Sequence, residues 1–238
     1  MSRTRRARKA TPLEGHLTQP LLFEDFEGHE HGAAWKADWW VEGGERVWIE
    51  SGHLHMKADP PGERDRGYVC TVWHKRPFGG DLRVQFDAHV VASSVDANNI
   101  NFFLFYSDPR GTPLFATRTE RADAAYPHYH KLNGYIFTFL NDTQGEGGRA
   151  PDGTPKARFR MRRCPGFRLV DEAYDYHCRK GLTYHVTVTR QEGRLTYAVD
   201  GQVFLRWNDD EPLSEGHIGL RTFRTDLWWD NIQVERLD

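Results

Sequence analysis

The dipeptide Asp200-Gly201, set between two runs of alternating apolar and polar residues, constrains this chain more than any other feature. Both residues of a two-residue hairpin turn must tolerate positive φ, and Asp-Gly does so at low cost. Arg194–Val199 and Gln202–Trp207 therefore read as paired antiparallel strands. Leu182–Thr189 before them, and Gly216–Phe223 and Leu227–Arg236 after them, keep the same period of two. That period places successive side chains on opposite faces of a sheet, so one face is buried and the other is free to meet a ligand.

The rest of the chain repeats the pattern. Leu21–Glu27, Asp38–Val41, Arg46–Glu50, His53–Ala58 and Tyr68–His74 are strand candidates, parted by short clusters of Gly, Pro and Ser. In Asp81–Ala92, Leu82, Val84, Phe86, Ala88 and Val90 alternate with Arg83, Gln85, Asp87 and His89. Asn99–Tyr106 and Leu132–Asn141 flank a long excursion, Ser107–Lys131, with a helical turn expected near Thr119–Ala125. Such an excursion is longer than a connection requires and often lines a site. Asp142–Lys156 is a second, Gly-rich loop, followed by strands at Ala157–Arg163 and Phe167–Ala173. A dozen or more strands with almost no helix predict an all-β fold of two stacked antiparallel sheets. A single barrel would also use such strands; the lack of a blade-length repeat argues against a propeller.

Composition narrows the functional classes. A net charge of −2 gives no general attraction to nucleic acid or to an anionic membrane, and no apolar run is long enough for a helical span. Three cysteines, Cys70, Cys164 and Cys178, are too few for a disulfide framework and fit a reducing compartment. Residues 1–19 carry a basic cluster, Arg3 to Lys9, without the apolar stretch of a secretory signal; they read as a disordered tail ahead of one domain over residues 20–238 of a cytoplasmic protein. Eight tryptophans exceed what a core of this size needs, so one of Trp39, Trp40, Trp48 and Trp73 is expected to offer its ring to a sugar, with Trp40 the candidate.

Two terminal segments and a central one carry a family resemblance. Phe23-Glu24-Asp25-Phe26-Glu27-Gly28 and Leu227-Trp228-Trp229-Asp230-Asn231-Ile232-Gln233-Val234 resemble the paired terminal strands of concanavalin A-like lectin/glucanase sandwiches. Tyr129-His130-Lys131-Leu132-Asn133-Gly134-Tyr135, with Arg160-Met161-Arg162-Arg163-Cys164-Pro165-Gly166-Phe167-Arg168-Leu169-Val170, resembles the YesU-like family. Its members have no assigned activity and are associated with bacterial use of pectin and rhamnogalacturonan. The resemblance spans roughly residues 20–237 and implies a concanavalin A-like jelly roll, a β-sandwich acting on carbohydrate. It also implies a structural Ca²⁺ held by Asp230, with Asp25 as companion; otherwise Asp230 bonds a neighbouring amide.

Candidate chemistry follows from residue types on shared strand faces. Arg158, Arg160 and Arg162 stand at i, i+2 and i+4, where like charges repel unless an anion lies across them or acidic neighbours such as Asp171 and Glu172 pair with them. A carboxylated sugar would supply that anion to a bidentate guanidinium. Asn99, Asn101 and His74 join Arg158, Arg162 and Trp40 as candidate substrate contacts. The Glu-x-Asp-x-x-Glu run of sandwich glucanases is missing, which disfavours two-carboxylate hydrolysis, although Asp171, Glu172 and Asp175 cluster. β-Elimination at a uronate suits the inventory better: Arg160 or Asn133 would neutralise the carboxylate, His130 would be the base and Tyr135 the acid. Tyr129-x-Lys131-x-x-Gly134-Tyr135 is similar to the Tyr-x-Lys-x-Gly-x-Tyr strand of alginate-type lyases, but differs in spacing and lacks their Gln-x-His partner. The remaining alternatives are a non-catalytic carbohydrate-binding domain and, for His128 and His130, metal ligation.

Overall fold

The computed structural model describes residues 17–29, 34–62, 67–142 and 145–237. The strands are β1 (Leu17–Glu24), β2 (Trp39–Gly43), β3 (Arg46–Glu50), β4 (His53–Lys57), β5 (Val69–His74), β6 (Phe78–Gly79), β7 (Leu82–Ala92) and β8 (Ile100–Ser107). After them come β9 (Asn133–Asn141), β10 (Ala157–Cys164), β11 (Arg168–Asp175), β12 (Thr183–Gln191), β13 (Arg194–Val199), β14 (Gln202–Asn208), β15 (Glu215–Phe223) and β16 (Asp226–Leu237). They form two antiparallel sheets of eight strands each. The first runs β14-β13-β12-β7-β16-β4-β3 with β1 on β16; the second runs β11-β10-β9-β8-β15-β5-β2 with β6 on β15. This is the expected all-β, two-sheet antiparallel sandwich.

Alternation explains the packing. In β7, Leu82, Val84, Phe86, Ala88 and Val90 are buried, while Arg83, Gln85, Asp87 and His89 are only half covered. Phe86 meets Phe102 of the opposite sheet at 5.2 Å and Trp229 at 5.1 Å. Leaving such rings in the gap between sheets removes roughly 150–250 Å² of each from water, the main driving force here. The hairpin forms at Asp200-Gly201, with φ of 50° and 78°. β1 starts at Leu17, before the expected boundary at residue 20, and ends at Glu24, because Phe26 turns the chain with φ 54°. The basic cluster Arg3–Lys9 lies outside the described residues. All three cysteines are free and buried, and burial pushes the Cys70 thiol up to about 12.

The long excursion is not a solvated loop. A 3₁₀ turn at Arg118–Arg121 and the short helix α1 (Tyr126–Tyr129) fold it across the outer face of the second sheet. There Leu114, Tyr129 and Leu132 pack with Trp40, Trp73, Phe103, Tyr106 and Ile136 in a second core, separate from the one between the sheets. No helix among the described residues is long and apolar enough to cross a membrane.

Five histidines set a pH dependence. Burial, the largest cause in each, holds His55, His74, His89, His130 and His217 below the ordinary value of 6.5. The folded protein then binds fewer protons than the unfolded chain just below that value, so stability rises with pH through that window. The melting temperature is expected to fall as pH drops from 7 to 5; a flat or inverted profile, followed by circular dichroism, contradicts this.

Candidate functional site

Strand register draws a polar file across the outer face of the second sheet. Glu172 on β11 faces Arg160 on β10, which faces Thr138 on β9; then come Asn101 on β8, Arg221 on β15, Thr71 on β5 and Glu42 on β2. Six strand spacings carry this file over about 29 Å. The parallel file beside it is apolar: Ile136, Phe103, Gly219, Trp73 and Trp40. A Cβ on Gly219 would stand 2.6 Å from the Trp73 ring, so only glycine lets that indole lie flat there.

The excursion covers the apolar file and one end of the polar file. Glu42, 1% exposed, is the fastening point. Its Oε1 accepts from Trp40 Nε1 at 3.1 Å and Arg121 Nε at 3.2 Å. Its Oε2 accepts from Trp73 Nε1 at 3.0 Å and the Tyr129 hydroxyl at 2.8 Å. Both oxygens are thus filled, and Arg121 supplies the countercharge from the excursion itself.

The other end of the file stays open as a groove of about 370 Å³. Asn101 and Thr138 floor it, joined by a hydrogen bond from the Thr138 hydroxyl. Arg158, Arg160, Arg162, Arg221, Tyr126 and Phe167 surround them. Arg160 pairs with Glu172, and Arg158 lies 3.2 Å from Glu146 and 3.6 Å from Asp142. Arg162 instead lies 4.0 Å from the Phe167 ring centroid and donates to the Phe167 carbonyl at 3.0 Å; it makes no salt bridge among the described residues. Arg221, 1% exposed, donates to Thr71 Oγ1 at 2.7 Å and the Ala124 carbonyl at 3.0 Å. Its charge lies among the rings of Tyr126, Tyr129 and Phe103. It has no carboxylate partner among the described residues, and its Nε bonds nothing. Tyr126 is pushed up by burial, against Arg221 and Arg162, which pull it down, as does a hydrogen bond with Thr138.

The expected residues divide between this groove and other places. Asn99, Asn101, Arg158, Arg160 and Arg162 line it together. The catalytic quartet does not assemble. Tyr135 projects to the opposite side of its sheet, where its hydroxyl donates to Asp209 Oδ2 at 2.7 Å and accepts from the Leu213 amide. Asn133 lies at the strand end and bonds Ser107 Oγ at 3.2 Å. His130 stacks on Phe167 at 3.6 Å, behind the groove wall, and is held down by burial and then by Arg162 and Arg221. His74 packs edge-on against Trp39 at 4.9 Å, again on the inner side. Trp40 is buried against Trp73 beneath the excursion and offers no free face to a sugar, and the half-buried Trp48 ring has Arg46 at 4.5 Å and stacks with His55 at 4.8 Å.

The acidic candidates are also dispersed. Glu172 serves Arg160, while Asp171 accepts from the Arg206 amide and Asp175 from the Tyr176 amide; alternation puts Glu172 on the opposite face from the other two. His128 pairs with Asp123 rather than with His130. Asp230 accepts from the Asn231 amide at 2.7 Å and lies 3.8 Å from His53; burial pushes it up, and Asp87 and Asp25 add to that. Among the described residues no three His, Cys, Asp or Glu side chains gather as a metal cluster. Sequence reasoning missed Arg221, Thr138, Tyr126, Phe167 and Glu42. The available signal for Arg221 was an arginine in the middle of the predicted strand Gly216–Phe223, next to Leu220 and two residues from Phe223.

Comparison with solved structures sets the sandwich in a class. A protein of unknown function with galectin-like fold from Bacillus subtilis superposes with a TM-score of 0.71 at 18% identity, covering 94% of this chain and 98% of that one. The carbohydrate binding module CBM66 from Bacillus subtilis gives 0.54 at 14% identity, covering 83% and 95%. The VIP36 exoplasmic/lumenal domain in its Ca²⁺/Man3GlcNAc-bound form gives 0.57 at 11% identity, covering 84% of each. At these identities the likeness is one of fold: a galectin-like, concanavalin A-like β-sandwich. Residues 65–232 match the family described as "Domain of unknown function (DUF6250)", and the chain belongs to that family. No curated protein matches the sequence.

Glu42 generates a stability prediction. Glu42→Gln should cost about 3–5 kcal/mol, since it strands the buried Arg121 charge. Glu42→Gln with Arg121→Met should recover part of that loss. Urea unfolding measures both, and a near-neutral single variant would show that the carboxylate does not fasten the excursion.

Proposed function

We propose that this protein binds an acidic glycan, with a uronate carboxylate held in the groove over Asn101, Thr138 and Arg221. The observation that carries this is Arg221 itself. A buried guanidinium without a counterion is costly, and a ligand carboxylate in the groove would supply the charge that no described residue provides. Arg162, stacked on Phe167 and without a salt bridge among the described residues, lies on the rim, and the Asn101 and Asn99 side chains add polar contacts suited to hydroxyls. The names of the fold relatives, a carbohydrate binding module and a mannose-bound lumenal domain, point in the same direction. The YesU-like resemblance adds the galacturonate polymers of pectin and rhamnogalacturonan as the first ligands to try. Calcium has no part in the proposal: Asp25 and Asp230 alone are a thin set for an ion that takes roughly six to eight oxygens.

Calorimetry with uronate oligomers tests this. Oligogalacturonates should bind, their carboxyl-reduced neutral counterparts should not, and Arg162→Ala should weaken binding about tenfold, equivalent to about 1.4 kcal/mol. Equal binding of charged and reduced oligomers would refute it.

Cleavage by β-elimination is a second function that one observation favours. Tyr126 places a phenol in the same groove as Arg162 and Arg221, where Tyr135 does not reach. With the uronate carboxylate neutralised by Arg221, Tyr126 would take the C5 proton as base, which requires the pull of Arg162 and Arg221 to outweigh the burial that pushes its phenol up. The electron pair would form the C4=C5 double bond as the C4–O bond breaks, and the proton would pass to the leaving oxygen. Unsaturated product should then absorb in the ultraviolet, and Tyr126→Phe should abolish it while changing affinity less than threefold. Binding without product on pectins, alginates and glucuronans would leave binding alone.

A further inference from the structure

A second cavity shares a wall residue with the arginine groove. About 650 Å³ in volume, it lies past β5 and is lined by Gly43, Gly44, Tyr68, Glu120, Asp123 and His128, among others. Val69 lines both cavities. Opposite Val69 in the β15–β5 register stands Phe223, 42% exposed on the side of the first groove. An exposed aromatic ring at the junction of two polar cavities is a surface on which the C–H face of a sugar can rest.

The two cavities differ in charge. The first gathers Arg158, Arg160, Arg162 and Arg221. Among the described residues the second is lined by Glu120 and Asp123 and by neither arginine nor lysine. There His128 Nε2 lies 3.0 Å from Asp123 Oδ1, and Asp123 is held low, first by the Ala125 amide that it accepts. Gly43 and Gly44, with φ of 68° and 78°, leave backbone rather than side chains on that part of the wall. A second carboxylate placed there would face two anions, whereas hydroxyls would find acceptors and the His128 ring.

We infer that the two cavities form one cleft across the strands, which takes an oligosaccharide whose acidic units alternate with neutral ones. The acidic unit lies over the arginines, the chain crosses Phe223, and a neutral sugar occupies the cavity of Glu120, Asp123 and His128. This rests on the acidic-glycan proposal above and adds to it the ligand's length and composition. From β10 to β2 the sheet spans five strand spacings, about 24 Å, enough for several sugar units.

Calorimetry with three probes decides it: glucuronic acid, tetragalacturonate, and a tetrasaccharide in which uronates alternate with neutral hexoses. The alternating tetrasaccharide should bind at least tenfold tighter than either of the others. Phe223→Ala should remove that advantage, weakening the alternating tetrasaccharide far more than glucuronic acid, and its exposed position leaves the fold intact. Asp123→Asn should raise affinity for tetragalacturonate several-fold, by removing a negative charge that an all-uronate chain meets. Equal affinity for glucuronic acid and the alternating tetrasaccharide, or a preference for tetragalacturonate in the unsubstituted protein, overturns the single cleft while sparing the arginine site. Failure of every acidic probe to bind overturns both.

Discussion

One buried carboxylate holds the functional face of this sandwich in shape. Glu42 accepts hydrogen bonds from two indoles, a phenol and a guanidinium, and those donors come from both the sheet and the excursion. A carboxylate out of water is tolerable only when its oxygens are filled and its charge is matched. Here that requirement dictates where the excursion must lie. Because Tyr129 and Arg121 are bound to Glu42, the segment between them crosses β2 and β5 and delivers Tyr126 to the groove. The neighbouring contact of Arg221 with the Ala124 carbonyl follows from the same placement.

Charge compensation then grades along the polar file. At the Glu42 end every charge has an internal partner. At the Glu172 end Arg158 and Arg160 share Glu146 and Glu172 near the surface, where such pairs contribute little, and Arg158 also reaches the buried Asp142. Between them Arg221 sits under aromatic rings without a carboxylate among the described residues. Cation–π contact and two neutral acceptors offset part of its desolvation, and the imbalance that is left marks the place where an external anion fits. Fold stability and ligand affinity thus draw on the same row of side chains.

The sandwich was legible in the sequence because period-two alternation and the Asp-Gly turn are local signals. Strand faces were legible too: Arg158, Arg160 and Arg162 share one face, and Asn101 joins them. What alternation alone does not reveal is which strands become neighbours. Tyr135 and Arg160 lie on adjacent strands but on opposite sides of the sheet, so their closeness along the register misleads. Trp40 and Trp73 read as sugar platforms because nothing local shows that the excursion folds down over them. Arg221 escaped notice for the converse reason: its strand carries scattered polar residues with no run that singles it out, and only the lateral order β8-β15-β5 puts it beside Asn101.

Alternation along the groove strands has a further consequence. Asn101 is followed by Phe102, Thr138 by Phe139 and Arg221 precedes Thr222; each groove residue has its chain neighbour on the far side of the sheet. The recognition surface and the intersheet packing are therefore written in separate, interleaved registers of one sequence. Away from the Glu42 clasp, drift at the groove-facing positions of these strands alters what the protein recognises without disturbing how it folds. That separation allows one scaffold to diversify its specificity, in nature or in a combinatorial library.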